Sequence, residues 1–190
     1  MTLSFEQGPI RPPSEARSLL IRVTRNCPWN RCEFCPVYKG APFSRRTVEE
    51  IKADIDTAKE IVDTLKRMAW QGGFGGSIDR RLVEGILQDE RYSESFRSVA
   101  LWLYYGGESA FLQDANSLVM KTPNLVEVVS YLKEIFPGLK RITSYARSST
   151  LARKPVEELR QLKAAGLNRI HVGLESGSDE VLAYVGKGVT

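Results

Sequence analysis

Cysteine is scarce in this 190-residue chain and histidine scarcer: there are three of the first and one of the second. All three cysteines fall in "CPWNRCEFCPVY", residues 27–38. Thiols gathered in one short run cannot staple a disulfide framework, and they suit a reducing compartment better than an oxidising one. Long apolar runs are missing as well. No stretch of about 18 apolar residues is present to span a bilayer. The opening "MTLSFEQGPIRPPSEARS" has neither the basic nor the apolar region of a signal peptide. The expectation is a cytoplasmic chain with no membrane segment. Nor is one sign of charge in large excess: a net +4 admits an acidic partner such as tRNA, yet it is ordinary for a protein surface. The length suits one domain with a substantial core.

What is present is a rhythm. After a proline-containing leader (residues 1–17), "SLLIRVTR" (residues 18–25) reads as a strand running straight into the cysteines. Thr47 followed by Glu50 predicts a capping box. Val48, Ile51, Ile55, Ala58, Val62 and Leu65 then keep a helical period through "TVEEIKADIDTAKEIVDTLKRMAW". "QGGFGGS" follows this long helix and not a strand, so it reads as a helix stop and link, not a phosphate loop. Residues 71–105 read as an insertion, helical through "SFRSVALWLYY". Strands are predicted at "SAFLQDA" (109–115), "KRITSYAR" (140–147) and "NRIHVGLE" (168–175). Helices lie between them at "NLVEVVSYLKEIF" and "PVEELRQLKAAG", the latter with Pro155 in its first turn, and another begins at "DEVLAYVGKG". Strand and helix alternating at about 30-residue intervals signal an α/β fold with a parallel sheet. Right-handed crossovers bring the strand C-termini to one rim, where such sheets bind ligands. The cysteine run, "QDANS", "YARSS" and "GLESGS" all fall on that rim.

Three thiols admit several readings. Incidental buried cysteines are one. A structural zinc site is another, but it wants four ligands, and the one histidine, His171, falls inside the fourth strand, where it reads as a packed or hydrogen-bonded residue. An iron–sulfur cube normally takes four thiolates, so three leave one iron open. That iron could act as a Lewis acid on a substrate hydroxyl, or chelate a cofactor and pass it an electron. The thiol count alone keeps these alternatives open, including a non-radical metal protein: a Lewis-acid iron–sulfur enzyme or a zinc-stabilised binding module.

The neighbours of the thiols carry a resemblance. "CPWNRCEFC" resembles the cluster signature of the radical S-adenosylmethionine (SAM) superfamily in the two-residue gap between Cys32 and Cys35 and in the aromatic Phe34 before the last cysteine. The first gap holds four residues where the usual form has three, giving a variant C-x4-C-x2-C motif. "HVGLESGSDEVLAYVGKG" is similar to the region around the family's fourth strand, and the resemblance extends over residues 18–190. It implies a TIM-like parallel (βα) partial barrel with about four of six units present. The chain is then expected to stop before the last barrel strands and to leave the fourth strand an unpaired edge.

The resemblance also implies a 4Fe-4S cluster held by Cys27, Cys32 and Cys35, with S-adenosyl-L-methionine on the open iron. Reductive cleavage of SAM would yield a 5′-deoxyadenosyl radical, fed by an electron donor such as flavodoxin or ferredoxin. The substrate stays open among a small molecule, a protein and a tRNA. Phe34 is expected to pack against the cluster or the adenine, and Asp114 and Asn116 to meet the amino-acid or ribose groups of SAM. Glu175, supported by Ser176, is expected at the ribose hydroxyls or the amino group. Tyr145 and Arg147 are further candidates for contact, while Arg45 and Arg46 read as surface or helix-start residues. The family often carries Gly-Gly-Glu at the end of its second strand. Here that tripeptide, Gly106 to Glu108, is expected to precede the strand, leaving Gln113, Asp114, Ala115 and Asn116 at the ligand rim.

Overall fold

The first predicted strand divides in two. In the computed structural model, which describes residues 3–190, strand β1 (Leu19–Arg22) stops at Val23, and a short strand β2 (Thr24–Arg25) turns off to pair antiparallel with β3 (Ser44–Arg45). The 18 residues between β2 and β3 (26–43), which carry the cysteines, are therefore closed at their base by a two-residue ladder. Helix α1 (Val48–Gln71) follows with both halves of the predicted capping box in place: Glu50 N–H donates to Thr47 Oγ1 (3.2 Å), and Thr47 N–H to Glu50 Oε2 (2.7 Å). Replacing Thr47 with alanine removes one of these bonds and is expected to cost about 1 kcal/mol in a denaturant titration, with the cysteine loop unaffected. Every apolar position of the predicted helical period is buried, joined by Ile61 and Ala69.

The segment read as an insertion is helical: α2 (Arg80–Gln88) and α3 (Glu94–Tyr104) are N-capped by Asp79 and Ser93 and lie beyond the Gly72–Gly76 link. After it come β4 (Ser109–Gln113), α4 (Thr122–Ile135), β5 (Arg141–Ala146), a short unforeseen helix α5 (Ser148–Arg153), α6 (Val156–Ala165), β6 (Leu167–Val172) and α7 (Asp179–Tyr184). Pro155 proves to be the N-cap of α6, not part of its first turn. The fourth strand ends at Val172, short of the predicted Glu175. No helix among the described residues is long and apolar enough to cross a membrane.

The four principal strands form one parallel sheet in the order β1-β4-β5-β6. Side chains alternate across a strand. Leu19, Ile21, Ala110, Leu112, Ile142, Ala146 and Leu167 join the helices in the core, while Phe111, Tyr145 and His171 pack on one another on the opposite face. The molecule is an α/β protein with a helix-flanked parallel sheet, consistent with four units of a partial TIM-like barrel. Both β1 and β6 are sheet edges among the described residues.

The leader is part of the fold, although its first two residues lie outside the described ones. Phe5 is buried, and Gln113 on β4 exchanges hydrogen bonds with the backbone of Gly8 and Ile10 at 2.9 Å. The Glu15 carboxylate is fully buried and accepts from Ser18 Oγ (2.6 Å) and from the Arg141 guanidinium (3.2 Å), with His171 Nε2 also at 3.2 Å. Burial alone would raise the Glu15 pKa, but the hydrogen bonds from Ser18 and His171 and the charge of Arg141 outweigh it and hold the carboxyl below its ordinary value. A depressed folded-state pKa contributes stability that is present above the unfolded value and lost as pH falls through the folded one. Below about pH 4.5 the wild-type protein is therefore expected to lose stability more steeply than Glu15→Gln, as read from urea midpoints across a pH series.

Candidate functional site

The cysteine loop leaves the sheet through two asparagines with left-handed backbones, Asn26 (φ 67°) and Asn30 (φ 47°), a conformation that asparagine tolerates better than most residues. Each then ties the loop to itself. Asn26 Nδ2 donates to Pro42 O (2.6 Å), and Asn30 Nδ2 to Tyr38 O (2.5 Å) and Ala41 O (3.3 Å). The Cys27 sulfur accepts from Asn30 N–H at 3.4 Å, and Cys35 N–H donates to Cys32 O at 3.3 Å. Cys32 is nearly buried, Cys27 and Cys35 are partly exposed, and all three are free thiols.

Among the described residues, no three Cys, His, Asp or Glu side chains converge closely enough to share one metal ion. A cube differs from a single ion in what it asks of its ligands, because each thiolate holds its own iron and the sulfurs stand around a body, not at a point. Soft thiolates are the donors such clusters select. The one histidine is held by Glu15 within β6, so the loop has three sulfur donors and no imidazole to complete a closed four-ligand site. The donor set fits an iron–sulfur cube with an open corner.

The loop is fastened to β4 by Asp114, the residue just past the strand. Its carboxylate is fully buried and receives Arg22 Nη2 (2.7 Å), Arg22 Nε (3.0 Å), Asn26 N–H (3.2 Å) and the Tyr38 hydroxyl. Burial and the neighbouring carboxylate push the Tyr38 phenol well above its ordinary pKa, so it donates throughout the working range. Two residues that flank the cysteines, Asn26 and Tyr38, therefore meet one carboxylate at the end of the neighbouring strand. Asn116, also buried, accepts from Arg147 N–H (3.3 Å) and donates to Thr150 Oγ1 (2.8 Å), which joins the ends of β4 and β5. Both residues sit on the expected rim, with their polar atoms engaged by protein partners.

The fourth rim segment contributes opposite charges. Glu175 has a left-handed backbone (φ 64°), and its carboxylate pairs with Lys187 Nζ at 2.7 Å. Lys187 is itself buried and lies 5.8 Å from the centre of the Phe34 ring, which is half exposed. Ser176 Oγ accepts from Ser178 N–H (3.0 Å), and Ser178, not Ser176, is the N-cap of α7. Lys187 reaches this place on a strap that presses on the cysteine loop. Trp29 Nε1 donates to Gly186 O (2.7 Å), Glu33 N–H to Val185 O (2.9 Å), and Arg147 Nη2 to Lys187 O (2.5 Å). A Cβ at Gly188 would lie 2.1 Å from the Trp29 ring, and one at Gly186 2.9 Å from Arg31 O, so glycine is what permits the approach. Sequence reasoning missed Lys187 and Trp29. The available signal was a lysine between two glycines downstream of "GLESGS", together with a tryptophan in the widened first cysteine gap.

Three other expectations are resolved by geometry. Gly106 and Gly107 end α3, their N–H groups donating to Leu103 O and Trp102 O, and Glu108 pairs with Lys140; the tripeptide thus lies at the start of β4, opposite the cysteine rim. Tyr145 is half-buried against Phe111 and His171. Arg46 is not a surface residue: it is buried, donating to Arg22 O (2.9 Å) on β1 and to Asp54 (2.5 Å) on α1.

Among known proteins, the family model of the radical SAM superfamily matches residues 21–190. No curated protein and no solved structure gives a significant match.

Proposed function

The chain belongs to the radical SAM superfamily, and from that premise we propose that it is an enzyme in which Cys27, Cys32 and Cys35 hold a 4Fe-4S cluster that cleaves SAM reductively. When bound, cluster and SAM together supply reductive carbon–sulfur cleavage and hydrogen-atom abstraction from a substrate. As in the superfamily generally, an external electron donor is required; flavodoxin and ferredoxin are the classes of carrier proposed.

The chain's own residues orient and exclude. Asp114 ties both ends of the cysteine loop to β4 through Asn26 and Tyr38, which limits the loop's freedom. Glu175 and Lys187 offer one negative and one positive group, complementary to the ammonium and carboxylate of an amino-acid zwitterion. Lys187 is desolvated, which strengthens its attraction for an anion. Phe34 lies beside this pair, an apolar surface for the cluster edge or the adenine. Asn116 acts as a positioning residue through Arg147, and Ser176 steadies the turn that carries Glu175.

The observation that carries this reading is the docking of the Glu175–Lys187 pair onto the loop that bears all three cysteines, through Trp29 and Gly186. It is tested by equilibrium dialysis of SAM against the cluster-loaded protein. Glu175→Gln and Lys187→Met are each expected to weaken SAM binding about 10- to 100-fold, the worth of a charge-assisted hydrogen bond in a desolvated site. Unchanged affinity in both variants would remove them from the cofactor site.

A further inference from the structure

A second recess opens on the rim, a cleft of about 230 Å³ between the cysteine loop, the end of β4 and α5. Trp29, two positions past Cys27, lines it together with Asn116, Arg147, Ser149, Thr150 and Arg153. The cysteines, Phe34, Glu175 and Lys187 are not among its lining residues, so it is distinct from the charged pair offered to SAM. A pocket that takes a whole small ligand usually measures about 300–1,000 Å³. This one therefore suits a head group, with the rest of the molecule outside. Its charge is of one sign: among the described residues two guanidiniums line it and no carboxylate does. Arg153 is exposed, with no ion pair or side-chain hydrogen bond among those residues, because the acids downstream, Glu157 and Glu158, pair with Arg160 and Lys154. Arg147 is held over the Trp29 ring (4.9 Å) and donates Nη2 to Lys187 O (2.5 Å), which leaves Nε and Nη1 without a protein acceptor among the described residues. Thr150 Oγ1 accepts from Asn116 Nδ2 (2.8 Å) and keeps its own proton to donate, and the Ser149 hydroxyl has no protein partner there.

We propose that this cleft binds the phosphate group of a small phosphate-ester substrate, with Arg147 and Arg153 on the phosphate oxygens and Ser149 and Thr150 completing their hydrogen bonds. Guanidinium donors match phosphate geometry, and bonds between ionised partners are about twice as strong as neutral ones. A dianion with three terminal oxygens uses more of these donors than the two oxygens of a carboxylate do. Trp29 lies between the first two cysteines in sequence, so a substrate anchored here by its phosphate has its remainder beside the loop that carries the thiols. The anion site stands on the cleft alone; its role as substrate anchor rests on the reading of the chain as a SAM-cleaving enzyme.

The test is equilibrium dialysis of radiolabelled ribose 5-phosphate against the full chain after anaerobic reconstitution, at constant ionic strength. Saturable uptake is expected, displaced by inorganic phosphate but not by ribose or acetate at the same concentration. Arg153→Gln is expected to weaken this binding by about tenfold or more, the worth of a charge-assisted hydrogen bond, and to leave SAM affinity at the wild-type value. Arg153 is exposed, so its replacement leaves the fold intact. Ser149→Ala is the second variant, with a loss of about threefold expected for one neutral donor. Absence of saturable uptake, unchanged affinity in Arg153→Gln, or equal displacement by acetate would overturn the phosphate site. Displacement by SAM would assign the cleft to the cofactor and overturn it as well. Phosphate-ester binding by a protein that assembles no cluster would uphold the anion site and overturn the SAM-enzyme reading, and the substrate role would fall with that reading.

Discussion

Asp114→Ala is expected to be the most destabilising single substitution at the candidate site, lowering unfolding free energy by about 3 kcal/mol, the low end for breaking a buried ion pair. Asp114 is fully buried, and its carboxylate is the common acceptor for Arg22, Asn26 N–H and Tyr38. Removing it leaves a buried phenol and a largely buried guanidinium short of a partner. The loss stays at the low end because Arg22 keeps Glu6 Oε1 (2.9 Å) and Asn26 Oδ1 (3.2 Å). Out of a typical total of about 5–15 kcal/mol, such a loss is visible in any urea titration. Tyr38→Phe is the control: it removes one donor while Asp114 keeps its others, and about 1 kcal/mol is expected. If the alanine variant were no weaker than the phenylalanine one, Asp114 would not be the anchor of the loop.

The second large effect is opposite in kind. Cys27→Ala or Cys35→Ala removes a partly exposed thiol, so apoprotein stability is expected to change by no more than about 0.5 kcal/mol. Iron and sulfide content, by contrast, are expected to fall to background and SAM cleavage by more than about 100-fold, beyond what loss of an outer-sphere contact produces. Cys32→Ala adds a modest packing penalty, because that side chain is nearly buried. Stability and metal content thus separate at the cysteines. A cysteine variant that kept full iron would show that its sulfur is not a ligand.

Much of the frame was legible in the sequence, because the signals were local and periodic. The capping box at Thr47 and Glu50, the buried stripe of α1 and the βα spacing beyond Ser109 all depend on neighbours a few residues apart. The rejection of Gly106–Glu108 as a rim motif rested on similarly local reasoning, since glycines ending a helix must precede the strand that follows. What was not legible depends on long-range pairs. That Glu15 in the leader would be buried against Arg141 and His171, or that Arg46 would reach Asp54 on α1, has no periodic signature. The same holds for Lys187. Its place beside Phe34 follows from two glycines that let the strap lie against Trp29 and Arg31, a contact between segments more than 150 residues apart.

The central claim is that three thiolates leave one iron free for SAM. Its most direct measurement is electron paramagnetic resonance of the reconstituted, reduced protein with and without SAM, paired with product analysis under strict anaerobiosis. The expected result is an iron–sulfur signal that SAM changes, accompanied by 5′-deoxyadenosine. A signal indifferent to SAM, or a protein that takes up stoichiometric zinc and no iron or sulfide, would contradict it.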